Sequence, residues 1–129
     1  MKNETVEQFF IKDAGDFDKS AIIQTDQQFY KISYNRFDVL VSPDLSEFEV
    51  DSYWNIIGTK IMDIGTDGIY TLVELSDNRF IHCDMGGDCI DIGVYPPVEY
   101  EENHEWLKNG MQKLSVEHNY LSNDWVRPD

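Results

Sequence analysis

Basic side chains are scarce in this sequence and nearly missing from its middle. Ten Lys and Arg stand against twenty-five Asp and Glu in 129 residues, a formal net charge of −15. Nucleic-acid binding depends on clustered Lys and Arg to meet phosphates, so direct contact with DNA or RNA is disfavoured. Cysteine is equally rare. Cys83 and Cys89 alone cannot staple a disulfide-rich secreted scaffold, and in a reducing compartment they remain thiols. Long apolar runs are lacking, and none approaches the length that crosses a bilayer. The first residues carry Glu4 and Glu7 where a signal peptide would be uninterruptedly apolar. The expectation is one cytoplasmic domain over residues 1–129, with no membrane association.

What is present is enough for a core. Apolar residues make up 41% and aromatics 13% of the chain, well above the profile of a disordered acidic segment. The charge is also segregated. Residues 37–106 hold sixteen acidic side chains against Lys60 and Arg79 alone, a balance of −14, whereas the segments on either side are close to neutral. Solubility does not require such concentration. A local acidic field steers a basic partner and rejects wrong ones.

The hydrophobic pattern predicts an α+β fold: an antiparallel hairpin meander of about six strands, with a short N-terminal helix and a C-terminal helix packed on it. Residues 5–11 predict the first helix, since Thr5 and Gln8 have capping-box spacing and Val6, Phe9 and Phe10 share a helical face. Gly15 among Asp13, Asp16 and Asp18 marks a break. From residue 28 the period becomes two. A two-residue turn at Asn35-Arg36 would place Tyr34 opposite Phe37, Ile32 opposite Val39 and Tyr30 opposite Val41. Phe48, Val50 and Trp54 then alternate with Glu47, Glu49, Asp51 and Tyr53.

Strands near 60–65, 69–75, 79–84 and 89–95 follow, each pairing with the next. An Asp67-Gly68 turn sets Ile64 opposite Thr71, a turn at Asp77-Asn78 sets Leu75 opposite Phe80, and the last hairpin sets Cys83 opposite Cys89. The inward set is Met62, Ile64, Val73, Leu75, Phe80, Ile90 and Ile92, joined by Phe48, Val50 and Trp54. Pro96-Pro97 ends the sheet. A helix over 101–115 follows, with Leu107, Met111 and Leu114 as its apolar stripe and its charges matched to the helix dipole.

The outward row Glu47, Glu49, Asp51 and Tyr53 is the foremost candidate binding surface. Residues two apart on a strand project together, about 7 Å from one another, and like charges so placed repel unless something positive meets them. The competing reading is a solvated edge strand whose charges block aggregation. Asp84, Asp88 and Asp91, around Gly86-Gly87, add to the same field. They lack the alternating ligands and terminal glutamate of a calcium loop, so no metal is expected. His82 with Cys83 and Cys89 gives too few ligands for zinc, and adjacent strand residues point to opposite faces, which is wrong for a nucleophile and its base. The sequence therefore predicts no enzyme, no cofactor and no catalytic residue.

A small acidic single domain with a structured core and no catalytic constellation resembles the immunity proteins of bacterial contact-dependent and other polymorphic toxin systems. The resemblance is one of functional type, and no motif in Trp54–Gly58 or Ser76–His82 carries it. It implies a tight complex with a basic toxin domain, such as a nuclease, bound through the acidic surface. Two other readings compete: a mimic of nucleic-acid charge that blocks a DNA-binding enzyme, and a small α+β ligand-binding or enzyme domain with its cavity between sheet and helix.

Overall fold

The computed structural model describes residues 3–66, 70–85 and 88–95. These residues form nine strands in chain order: β1 Val6–Asp13, β2 Lys19–Thr25, β3 Phe29–Ile32, β4 Phe37–Leu40, β5 Glu49–Val50, β6 Ile61–Thr66, β7 Tyr70–Leu75, β8 Phe80–Met85 and β9 Ile90–Tyr95. They divide into two antiparallel sheets, ordered β4-β3-β2-β1-β5 and β6-β7-β8-β9. The core is one cluster drawn from both, with Phe9, Ile23, Tyr30 and Phe37 of the first sheet meeting Ile64, Val73, Ile81 and Cys83 of the second. The second sheet is the predicted meander, strand for strand. No helix occurs among the described residues, and the segment expected to form the C-terminal helix lies outside them.

The N-terminal helix is a correction, because residues 6–13 are a strand. The register of β1 on β2 slips between Val6 and Gln8, which pair with Thr25 and Gln24. The extra residue, Glu7, puts both Val6 and Phe9 in the core. A bulge thus produces the three-residue spacing that a helix would also show. The same device acts in β6, where Ile61 pairs with Leu75 and Asp63 with Glu74. Met62 is the extra residue and is only partly buried, while Ile61 and Ile64 are both inside.

Strand β2 gave no alternating signal because it has none. Ala21, Ile22 and Ile23 are all buried, although Ile22 points away from its neighbours, so both faces of this strand are covered and its apolar run is continuous.

Loop lengths account for the register corrections. The β3–β4 connection closes with Ile32 opposite Phe37 and Tyr30 opposite Val39. That is two residues from the expected pairing; it keeps Tyr30, Ile32 and Phe37 inside but leaves Val39 39% and Val41 92% exposed. Ile64 likewise pairs with Val73 rather than Thr71; the Asp67-Gly68 turn itself lies outside the described residues. The β7–β8 hairpin changes more. Asn78 N donates to Leu75 O, Leu75 N donates to Arg79 O, and Asn78 has a left-handed φ of 68°. This is a type I turn followed by a left-handed residue, a three-residue loop. One residue more than expected sets Glu74 opposite Phe80 and Val73 opposite Ile81. Every side chain of β8 therefore changes face: Ile81 and Cys83 enter the shared core, and Phe80 is buried outside it.

In β9, Cys83 pairs with Ile92 and Met85 with Ile90. Cys83 and Cys89 are therefore not cross-strand partners; both are free, one buried and one partly buried. The strand expected through residues 47–56 shrinks to Glu49-Val50 on the edge of β1. Val50 is 56% exposed instead of buried, and Phe48 and Trp54 are only partly covered.

The two sheets are stitched together by residues 3–6. Val6 N donates to Thr59 O, Ile61 N to Glu4 O, and Asn3 N to Ile61 O, while Asp26 N on the other side donates to Thr5 O. Within this seam the Glu4 side chain is buried at 5% exposure. Thr25 Oγ1 donates to Glu4 Oε1 at 2.6 Å, and Tyr30 Oη donates to Glu4 Oε2. Gln28 Nε2 donates to Tyr30 Oη at 2.6 Å. Burial first, and the Glu4 carboxylate second, push the Tyr30 phenol's pKa upward, so it stays a donor. Replacing Tyr30 by Phe strips a buried carboxylate of that donor, and the expected loss is about 1–3 kcal/mol. Urea unfolding of the two proteins, with the slope unchanged, measures it.

Candidate acidic binding surface

The predicted row divides when its local structure is followed. Glu47 and Glu49 are exposed, as expected. Asp51 is partly buried and its carboxylate is occupied, accepting from Tyr53 N at 3.1 Å and from Trp54 N at 3.0 Å. Its own N–H donates to Phe9 O at 2.7 Å. Asp51 therefore ends the edge strand and turns the chain, a local side-chain-to-backbone role. The turn leaves Tyr53 83% exposed, edge-on to Trp54 with ring centroids 5.4 Å apart.

The Trp54 ring fits over Gly93: a Cβ at that position would stand 3.4 Å from Trp54 Cζ2 and 3.2 Å from His82 Nε2. Arg79 fixes the following backbone, donating from Nη1 to Trp54 O at 2.6 Å and from Nη2 to Asn55 O at 3.0 Å.

Between this strip and β1 lies a groove of about 310 Å³. Ile11, Val50 and Tyr53 give it apolar surface, and Asp13, Glu47 and Glu49 give it charge. Lys12 reaches across to Glu47 at 3.0 Å and to Asp18 at 3.2 Å. Those two carboxylates, Glu47 first, raise its pKa. Glu49 makes no ion pair among the described residues.

The second predicted group sits on β8 and β9. Asp84 and Asp91 are direct cross-strand partners. Asp84 is half-buried and lies 3.3 Å from His82 Nδ1; Asp88 and Asp91 are exposed. The two groups are joined by an element absent from the predicted site, the turn between β1 and β2. Ile90 N donates to Asp16 O at 2.6 Å, which ties the start of β9 to this turn, and Lys12 ties the same turn through Asp18 to Glu47. Asp13, Asp16 and Asp18 thus stand between the two acidic groups, and Phe17 at the tip is 66% exposed. The sequence signal for this element is the cluster of three acids around Gly15.

No group of three or more His, Cys, Asp or Glu among the described residues is arranged to hold a metal ion. The Cys83 thiol is pushed up to about 12, by burial first and then by Asp84 and Asp91, which suppresses the thiolate. No helix among the described residues is long and apolar enough to cross a membrane. Comparison with protein-family models, curated proteins and solved structures finds no match.

His82 gives the surface a pH signature. Burial lowers its pKa from 6.5, outweighing the opposite pull of Asp84 and Asp91. The unfolded chain then takes up the proton more readily than the folded one. The stability contributed by neutral His82 is present above pH 6.5 and is lost as pH falls through the lowered folded value. Urea midpoints followed downward from pH 7 should decline more steeply in the wild type than in His82→Gln. Equal slopes would remove His82 from the acid response.

Proposed function

We propose that this chain is a protein-binding inhibitor of the immunity type, neutralising a basic toxin domain through its acidic surface. The observation that carries this reading is the groove beside β5, where the exposed Tyr53 and Val50 lie among Glu47, Glu49 and Asp13. Acids that served only solubility would not need apolar anchors between them. Interfaces combine the two, with aromatic anchors at the centre and charge at the rim. The β1–β2 turn and the β8–β9 end extend the same field, so that a partner meeting Tyr53 also meets Asp16, Asp88 and Asp91. Asp51 and Asp84 support this surface rather than contact the partner, because one caps its own turn and the other is held by His82. A basic cleft such as that of a nuclease has the complementary charge.

The test compares the wild-type chain with Glu47→Lys/Glu49→Lys and with Asp88→Lys/Asp91→Lys, all checked for folding. The partner is sought among proteins from the source cell that the wild type retains and the reversed variants release, and the isolated partner is then used for kinetics. Rim charges govern encounter. Each double reversal should therefore slow association by about tenfold or more, and the wild-type rate should fall as salt rises. Tyr53→Ala should act chiefly on dissociation, with a loss of roughly 2 kcal/mol or more as expected of an anchor. Association indifferent to salt, with affinity unchanged in both reversed variants, would reduce the acidic district to solvated surface.

A further inference from the structure

The first sheet has two edges, and they differ in how they are guarded. At one, Glu49 and Asp51 stand beside Asp13 and Glu47, and charge of this kind keeps a sheet edge from pairing with another chain. At the other lies β4, with β3 on one side and no strand on the other among the described residues. The pairing with β3 decides which backbone groups of β4 are used. Ser33 N donates to Arg36 O, so Arg36, and by the alternation of an antiparallel ladder Asp38 and Leu40, turn their N–H and C=O groups towards β3. Val39 is paired with Tyr30 between those bonds, and its own N–H and C=O point outward; the Val41 N–H follows in the same direction. Neither residue bonds to anything beyond this edge among the described residues.

The side chains of this edge are apolar. Val39 is 39% and Val41 92% exposed, and Leu40, on the opposite face, is half-buried. Asp38 does not guard the edge, because it lies directly across from Lys31 and 3.3 Å from Arg36. Around the strand Lys31 and Arg36 balance Asp38 and the exposed Asp44, so the edge is close to neutral in a chain with a net charge of −15. The β5 edge, by contrast, sets Asp13, Glu47, Glu49 and Asp51 against Lys12. A second copy of this chain is repelled by the acidic faces and least opposed at β4.

We propose that β4 is the contact between two copies of this chain, paired antiparallel about a two-fold axis at Leu40. An isologous contact must be complementary to itself, and this register is. Val39 of each copy stands opposite Val41 of the other, Leu40 meets its own counterpart and Asp38 meets Ser42, so no like charges are opposed. The outward groups of Val39 and Val41 exchange N–H···O bonds across the contact, which is strand addition to an open edge. Sliding further towards the end of the strand would set Val39 against Pro43, which has no N–H to give. The left-handed Ser42, with φ of 48°, ends the strand there and confines the contact to this segment. Because β4 and β5 are opposite edges of one sheet, each copy keeps its acidic groove open, and the contact does not depend on the partner proposed for that groove.

Sedimentation equilibrium of the full chain, over a range of concentrations at low and high salt, reads the association directly. The weight-average mass should climb with concentration from that of the monomer towards twice that value. Two chains of the same sign repel at long range, so high salt should strengthen the dimer, the reverse of the response expected with a basic partner. The Val39 and Val41 amides should gain protection from hydrogen exchange as the dimer forms. Val41→Pro removes an outward N–H and should weaken the dimer by about tenfold or more. Val41→Asp, at a position open to water, should do the same by placing a carboxylate from each copy in the contact. Ile57→Ser, which removes an apolar side chain 48% exposed outside this edge, should leave association unchanged. A monomer at every concentration and salt, a dimer indifferent to both Val41 variants, or an equal loss in Ile57→Ser would each overturn the contact. Protection gained at another edge, with Val39 and Val41 still exchanging freely, would overturn its assignment to β4.

Discussion

A single buried carboxylate sets the terms for the rest of this structure. Taking a carboxylate out of water is costly unless its oxygens are hydrogen-bonded, and Glu4 is satisfied only if residues remote in sequence converge on it. Thr25 and Tyr30 both donate to it, which fixes the β2–β3 hairpin against the N-terminal segment. Tyr30 in turn stacks on Phe37 with centroids 5.0 Å apart, which brings in β4. The backbone on either side of Glu4 bonds to residues 58–61 and so delivers the second sheet to the first. Bulges in β1 and β6 lie on either side of this seam, as expected where strands turn a corner between sheets. The seam is a polar linchpin inside an apolar sandwich.

Closure of the two sheets determines the electrostatics. The acids of the β1–β2 turn, of the segment around β5 and of the β8–β9 end come from three stretches of sequence. They add into one field because the turn is bonded to β9 through Asp16 O and bridged to Glu47 through Lys12. Lys12 also limits the repulsion that this crowding creates. The same turn carries the exposed Phe17 at its tip.

Much of the second sheet was legible from residue order. Period-two alternation and turn residues identified β6 to β9 and their pairing as neighbours, and the hairpin of β3 with β4 was visible for the same reason. The failures have specific causes. A bulge gives inward residues a spacing of three, so β1 resembled a helix through Val6 and Phe9. A strand buried on both faces loses alternation, so Ala21-Ile22-Ile23 gave no strand signal. One additional residue in the β7–β8 loop moved Ile81 and Cys83 inward, and the inward set assigned by parity failed there. Among the site residues, the exposure of Glu47 and Glu49 agrees with the alternation, whereas that of Tyr53 follows from the turn that Asp51 caps. The use of Asp51 as a turn cap and of Asp84 as the partner of His82 could not be read from the alternation, because each depends on where a neighbouring backbone or ring is placed.

By itself the sequence determined the antiparallel β character, the neighbour order of the last four strands and the concentration of negative charge, because composition and local periodicity require no knowledge of distant contacts. Tertiary structure decided the division into two sheets, the faces that became core and the conversion of scattered acids into one surface. These outcomes rest on loop lengths counted to the residue, on bulges that reverse parity, and on a buried glutamate whose hydrogen-bond partners lie more than twenty positions away. A local pattern is compatible with several such closures; only the one that satisfies the buried carboxylate and fills the space between the sheets is observed.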